Sequence, residues 1–390
     1  MLIKIAWKNI VAKPLSSFLC VLLMMFGIAI ISLVMQIGNQ LEAKFSKNIS
    51  GIDMVVGAKG SPLQLILSSV FQIDAPTGNI SLEEASAMSK NPMIKTFIPL
   101  SMGDSYMGYR IVGTNARYAK HFDAQLAEGR DFQSPLEVVL GAEVAAKTGL
   151  KVGDTFASSH GLDGEGETHD HSLFRVVGIW KPNQSVLDNV VVTSLQSVWM
   201  VHAHGGEMVT EDITAALIQF RSPMGLMTIP RNINANSRMQ AALPAIEINR
   251  LFALLGVGIS TLTYLAWAIM IISGISVFIS LYNALKERKF ELALLLSMGA
   301  TRTKLFLTLL FEGLILVGAG AFLGLLISRI GLLVLTQTVE SNLRMTLEAQ
   351  TLLPQEWYLL GGALVLGILA SILPSFGVYR LNISNTLAEE

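Results

Sequence analysis

Apolar and polar positions along this chain follow two different rhythms. In four places the apolar run is long enough to cross a bilayer, whose core of about 30 Å takes roughly 20 residues of helix. Residues 15–37 and 254–285 carry no Asp, Glu, Lys or Arg; 305–335 carries Glu312 and Arg329; 357–379 runs from Trp357 to Tyr379, with Arg380 just beyond. Between the first and second runs the pattern shortens. Ser81 followed by Glu84 has capping-box spacing, and the helix it opens should stop before Pro92. Arg110–Thr114, Val138–Leu140, Phe174–Ile179 and Val190–Thr193 read as strands, with a turn over Gly149–Asp154. Gly57–Ser61 reads as a tight turn after a strand. Ser61–Phe71, apolar but too short to span, reads as a helix packed on the domain core, the alternative being a surface near the outer leaflet that admits a lipid-like or lipoprotein substrate. The expected fold is a membrane protein: four transmembrane α-helices with a large α+β extracytoplasmic domain inserted between helices 1 and 2.

Composition agrees with a chain that faces lipid. Apolar residues make up 52% and charged residues 15%, with a mean hydropathy of +0.53; soluble domains are about 25% charged. A net charge of −1 offers no basic surface, so no nucleic-acid partner is expected. The one cysteine, Cys20, rules out an intrachain disulfide framework and a cysteine-built metal site. No G-x-S-x-G, H-E-x-x-H or Walker A sequence occurs. No catalytic residue is therefore assigned, and the chain is expected to be neither an enzyme nor the holder of a cofactor. The first apolar run is longer than a signal-peptide core and no A-x-A site follows it, so it is expected to stay as an anchor.

Lys and Arg set the expected orientation. Lys4, Lys8 and Lys13 precede the first run, five basic residues from Lys286 to Lys304 lie between the second and third, and Arg380 follows the fourth. Both termini and the 286–304 segment are thus expected in the cytoplasm. The expected divisions are a cytoplasmic amphipathic helix at 1–14, spans at 15–37, 254–285, 305–335 and 357–379, and an extracytoplasmic domain at 38–253. A cytoplasmic coupling loop at 286–304, a short outer loop at 336–356 and a cytoplasmic tail at 380–390 complete the chain. Residues 1–11 place Lys4 and Lys8 on one face and Ile3, Trp7 and Ile10 on another, which suits the inner-leaflet interface.

Three segments carry a family resemblance. Leu285-Lys-Glu-Arg-Lys-Phe-Glu-Leu-Ala-Leu-Leu-Leu-Ser-Met-Gly-Ala-Thr-Arg302 resembles the cytoplasmic loop signature of FtsX/MacB/LolC-type ABC transporter permeases. Phe311 to Gly324, a Glu followed by spaced glycines, is similar to the opening of that family's third span. Glu128–Phe132 with Val138–Asp154 resembles a MacB-like periplasmic core domain. The insert at 160–171 and the lack of a fused nucleotide-binding domain depart from the MacB pattern.

The resemblance implies a type VII ABC permease in a cell inner membrane. Its partners would be a cytoplasmic ABC ATPase dimer that uses ATP and Mg²⁺, a second permease copy forming a homo- or heterodimer, membrane lipid, and a periplasmic protein or lipoprotein. ATP hydrolysis would move the periplasmic domain and so export or extract a periplasmic or membrane substrate such as a lipoprotein. An FtsX-like scaffold that activates a periplasmic hydrolase is an alternative, and a zinc-linked ABC system is another.

On this reading Glu287, Arg288, Glu291, Gly299, Ala300, Thr301 and Arg302 couple to the ATPase. Lys286–Met298 should be helical, with Leu292, Leu295 and Leu296 facing the span bundle, Gly299 at its C-terminal turn and Thr301 capping the next helix. Glu312, Gly313, Gly320 and Gly324 are the intramembrane and packing residues: the glycines let helices approach closely, and Glu312 reads either as a functional ionisable group in a span or as a headgroup-level carboxylate paired with a nearby Lys or Arg. Five histidines, His160, His169, His171, His202 and His204, lie near Asp163, Glu165, Glu167 and Asp170. Imidazole with carboxylate suits Zn²⁺, and these five are the candidate metal ligands.

Overall fold

The structure is a computed structural model. It describes residues 2–161, 171–202, 211–343 and 352–380, with side chains described to 336 in the third segment and to 379 in the fourth. The chain forms two compact units, 1–41 with 254–390, and 42–253.

The first unit opens with α1 (Leu2–Ala12) and α2 (Pro14–Ile49). The second unit takes up the end of α2 and continues through β1 (Met54–Ala58), α3 (Pro62–Ser69), β2 (Ile80–Ser81), α4 (Leu82–Ser89), β3 (Ile94–Tyr106), β4 (Tyr109–Thr114) and α5 (Arg117–His121). Next come β5 (Leu126–Gly129), β6 (Glu137–Leu140), α6 (Ala142–Thr148), β7 (Thr155–Phe156), β8 (Ser159–His160), β9 (Phe174–Trp180), β10 (Val191–Ser194) and α7 (Leu195–His202). It closes with β11 (Asp212–Ile213), β12 (Ala215–Phe220), α8 (Met224–Asn236) and β13 (Met239–Ala242). The chain then passes along α9 (Pro244–Glu287) to α10 (Lys289–Ser297), α11 (Arg302–Leu343), α12 (Pro354–Ser375) and a closing 3₁₀ turn at Phe376–Arg380. Among the described residues, helices α2, α9, α11 and α12 are the four long and apolar enough to cross a membrane. A large α+β domain is inserted between the first of them and the other three.

In the inserted domain the strands join in the order β13-β1-β12-β3-β4-β10-β6-β9-β5, with β7 on β9 and β8 on β3. Two cores flank this sheet. One gathers Met54, Val56, Ile218 and Phe220 with Ile233 of α8; the other gathers Val138, Leu140, Phe174 and Val191 with Val144 of α6. β3 belongs to both halves: residues 94–100 pair with β12 and residues 101–106 with β4. Its pairing with β4 shifts register between Met102 and Ser105, and such a bulge re-aims the side chains within it.

The expected strands and the Gly149–Asp154 turn are present. Gly57–Ser61 leaves β1, and α3 buries Leu65 and Ile66. The Ser81 capping box does not form as expected: Ser81 takes the N-cap position but its side chain makes no capping hydrogen bond. Ser81 is instead held in β2 opposite Asp212, and the Leu82 N–H donates to the Glu211 carbonyl at 3.0 Å. The strand pairing thus satisfies the first orphan N–H of α4, a donor that a capping side chain does not reach.

The membrane unit packs Met24, Ile28, Met270, Leu281, Leu316, Val317 and Ala363 in one core. α1 lies against this bundle: Ala6 is fully buried and Ile10 packs on the core, while Ile3, Trp7 and Val11 stay exposed one turn apart. That apolar row suits a lipid interface.

Candidate functional site: coupling helix, intramembrane knot and a histidine–carboxylate cluster

The sequence 286–298 is not one helix. α9 runs through Glu287, Arg288 leaves helical geometry at φ −101° and ψ 17°, and α10 begins at Lys289. Beyond α10, Gly299 turns back at φ +98°. Its N–H reaches the Leu296 carbonyl at 3.1 Å and the Ala300 N–H reaches Leu295 at 2.9 Å, the paired bonds of a Schellman ending. The Thr301 hydroxyl then accepts the Lys304 N–H at 3.4 Å. α10 is therefore a short rod fixed at both ends by tight turns.

One face of α10 buries Ala293 and sets Leu292 and Leu296 against Leu285, Leu305, Leu309 and Val378. Leu295, expected on that face, is 44% exposed. The other face shows Phe290, Leu294 and Met298, exposed at four-residue spacing. The sequence pattern conceals this second stripe, because an unbroken leucine run hides which leucines are spare. Glu287 forms an ion pair with Lys13, Glu291 is exposed, and Arg302 donates to the Tyr379 carbonyl at 2.8 Å.

Glu312 is buried in α11 and accepts a 3.4 Å hydrogen bond from Asn9 of α1. A Cβ at Gly313 would overlap the Ser371 hydroxyl of α12. At Gly320 it would come within 2.7 Å of Met24 Cβ, and at Gly324 within 2.8 Å of the Met25 carbonyl, both on α2. These three glycines mark where α11 approaches its neighbours most closely.

A polar knot not anticipated from the sequence ties three spans together. Arg329 of α11 contacts Glu356 of α12 at 2.6 Å. The Ser32 hydroxyl of α2 donates to Glu356 at 2.5 Å, Gln36 donates at 3.4 Å, and the Leu353 N–H donates at 2.9 Å. Ser32 also meets Ser328 at 2.8 Å. The sequence signal was Arg329 itself, since a charge inside a span needs a partner.

On the inserted domain, the structure brings together two of the five candidate histidines. Asp104 and His160 are directly opposed across β3 and β8, which puts both side chains on one face. His202 is the last residue of α7. His160 Nδ1 lies 3.1 Å and His202 Nε2 3.3 Å from Asp104 Oδ1. Asp104, distant in sequence from the histidine-rich insert and not among the expected ligands, is only 4% exposed and accepts the Ser158 hydroxyl on Oδ2 at 3.1 Å. The Asp104 carboxylate raises the His202 pKa against the opposing effect of burial, with help from the Val198 carbonyl. His171 is exposed and outside this cluster. His169 and His204, with Asp163, Glu165, Glu167 and Asp170, lie outside the described residues.

A comparison with protein families matches the MacB-like periplasmic core domain over residues 17–224 and the FtsX-like permease C-terminal region over residues 263–383. A comparison with curated proteins finds no match. Among solved structures, the periplasmic region of MacB from Actinobacillus actinomycetemcomitans is similar at 14% identity and TM-score 0.34, covering 53% of this chain and 97% of that one. The extracellular domain of the noncanonic ABC-type transporter YknZ from Gram-positive bacteria is similar at 14% identity and TM-score 0.31, covering 48% of this chain and 98% of that one. The two family matches together take in the first span, most of the inserted domain and the greater part of the last three spans. The chain belongs to the family of permeases with a MacB-like periplasmic core domain and an FtsX-like C-terminal region, membrane subunits that couple an ATPase to motion of the periplasmic domain.

Proposed function

We propose that this chain is the membrane subunit of an inner-membrane ABC system whose ATPase is a separate cytoplasmic dimer that grips α10. The two-faced character of α10 carries this reading. Its buried face locks it to α9, α11 and the closing turn, and its exposed Phe290–Leu294–Met298 stripe is flanked by Glu287 and Glu291. A load applied to such a rod passes into the spans instead of bending a loop. Glu287, Arg288, Glu291 and the 299–302 turn form the coupling surface, with both chain termini on the same cytoplasmic side. A second permease copy completes the complex, and the substrate is a periplasmic or membrane-held one such as a lipoprotein.

Co-purification of the full chain with its ATPase tests this. Leu294→Glu with Met298→Glu, or Arg288→Glu with Glu291→Lys, should abolish capture of the ATPase while leaving the permease in the membrane. Undiminished capture in both double variants would remove the proposal.

A further inference from the structure

We infer that Asp104, His160 and His202 form a binding site for a divalent transition metal of the zinc class on the inserted domain. The three candidate ligand atoms come from β3, β8 and α7 and all lie within 4.8 Å of one another. A tetrahedral ion with bonds of about 2.0–2.1 Å sets its ligand atoms roughly 3.3 Å apart. The two distances to Asp104 Oδ1, 3.1 and 3.3 Å, match that edge length.

The tautomer of His202 strengthens the case. Its Nδ1 lies 2.8 Å from the Val198 carbonyl, which can only accept, so Nδ1 carries the hydrogen. In the neutral ring Nε2 then presents a lone pair toward a carboxylate oxygen. A proton on Nε2 would bridge that gap as a hydrogen bond and a metal ion would bridge it as a coordination edge; Zn²⁺ titration distinguishes the two. A backbone carbonyl orienting the far ring nitrogen is the usual support of a metal-bound histidine. Asp104 has a comparable support, since its second oxygen is fixed by Ser158.

Ligand chemistry selects the ion. Two imidazoles and one carboxylate favour Zn²⁺ and its neighbours, whereas Mg²⁺ and Ca²⁺ take oxygen ligands. The His160 and His202 side chains are 44% and 37% exposed, so the cluster is open to solvent on one side. Three protein ligands with an open position describe a site that exchanges its ion or holds an added ligand, unlike a closed structural zinc. The ion would fasten the end of α7 to the bulged part of β3. This inference is independent of the ATPase-coupling reading, because binding is measured without nucleotide.

The test is Zn²⁺ titration of the full chain in detergent by calorimetry. Tight uptake is expected in the wild type and in the triple variant His169→Ala, His171→Ala, His204→Ala. His160→Gln, His202→Gln and Asp104→Asn should each weaken binding by more than the roughly 10–100-fold that loss of an outer partner costs. No uptake by the wild type, which would leave an imidazolium as the positive centre, overturns the inference, as does full affinity in the three single variants. Zinc-edge X-ray absorption on the loaded wild type supplies a reading that needs no variant. Two imidazoles with oxygen ligands support the site; three or more imidazoles, or oxygen alone, refute it.

Discussion

A carboxylate inside a helix bundle is tolerated when its lone pairs are occupied, and Glu356 has an arginine, a serine, a glutamine and a backbone N–H on its two oxygens. Removing one partner of a buried pair strands the other and costs about 3–5 kcal/mol. Glu356→Ala should lower the apparent melting temperature of the full chain steeply, while Glu356→Leu combined with Arg329→Met recovers much of the loss. Glu137 offers a different residue-scale test. The Arg130 guanidinium, at 2.8 and 2.5 Å, and the N–H groups of Gln133 and Ser134 hold its carboxyl down to about 2. A carboxyl with a depressed folded pKa stabilises fully above its unfolded value, and that contribution fades as pH falls toward the folded one. Wild type should therefore melt higher than Glu137→Gln near neutrality, and the gap should close between about pH 4.5 and 2. Legibility at this scale was uneven. Arg329 announced a need for a partner, but its partner is 27 positions away and Ser32 is 324 positions from Glu356. Such meetings depend on how helices pack, which a local pattern does not encode. Asp104 escaped notice for the same reason: only a strand pairing and a helix end bring it to His160 and His202.

Among the elements, α10 shows what periodicity reveals and what it conceals. The helical character of 286–298 and the glycine stop at 299 follow from helix-forming residues and a following Gly. The break at Arg288 does not, because Lys, Glu and Arg all favour helix and nothing local marks a kink. It arises where α9 ends and α10 turns to seat Leu292 and Leu296 on the bundle. Gly299 matters most here, since φ +98° is costly for a residue with a Cβ. Gly299→Ala should cost on the order of 1–2 kcal/mol at the turn. The expected readout is a looser joint between α10 and α11, seen as weaker stimulation of the partner ATPase with the permease still folded. The histidine tract illustrates the opposite case. Its composition suggested metal, but its members do not all converge: His160 and His202 meet across β8 and α7, and His171 stays apart.

For the whole molecule, a four-span protein with one large inserted domain was legible from the apolar runs alone, because bilayer thickness sets a length that few soluble helices imitate. The sidedness assigned from Lys and Arg can be checked directly. With the buried native cysteine replaced (Cys20→Ser), cysteines placed at the exposed positions Met107 and Met298 should react from opposite sides of the membrane. An impermeant maleimide added outside should label position 107 and spare 298. Labelling of both positions from one side would end the coupling proposal.

The knot at Glu356 also divides the bundle unequally. α2, α11 and α12 share an ion pair and its hydrogen bonds. Within the span α9 touches α2 through neutral contacts, Ser16 with Ser280 at 2.7 Å, Cys20 with Ser276 at 3.4 Å, and Ser273 with the Cys20 carbonyl at 3.2 Å, and at its end through the exposed Lys13–Glu287 ion pair, which water screens. Its most apolar window is also the least buried of the four, 28% against 39% for each of the others. Hydroxyl pairs can trade partners along a helix at small cost, whereas drawing a guanidinium from its carboxylate in hydrocarbon is expensive. A power stroke should then slip along the α2–α9 seam as along a geological fault, with the other three spans moving as one block. A disulfide staple from Ser16→Cys to Ser280→Cys should arrest ATP-driven turnover, and one from Ser32→Cys to Ser328→Cys should leave it running.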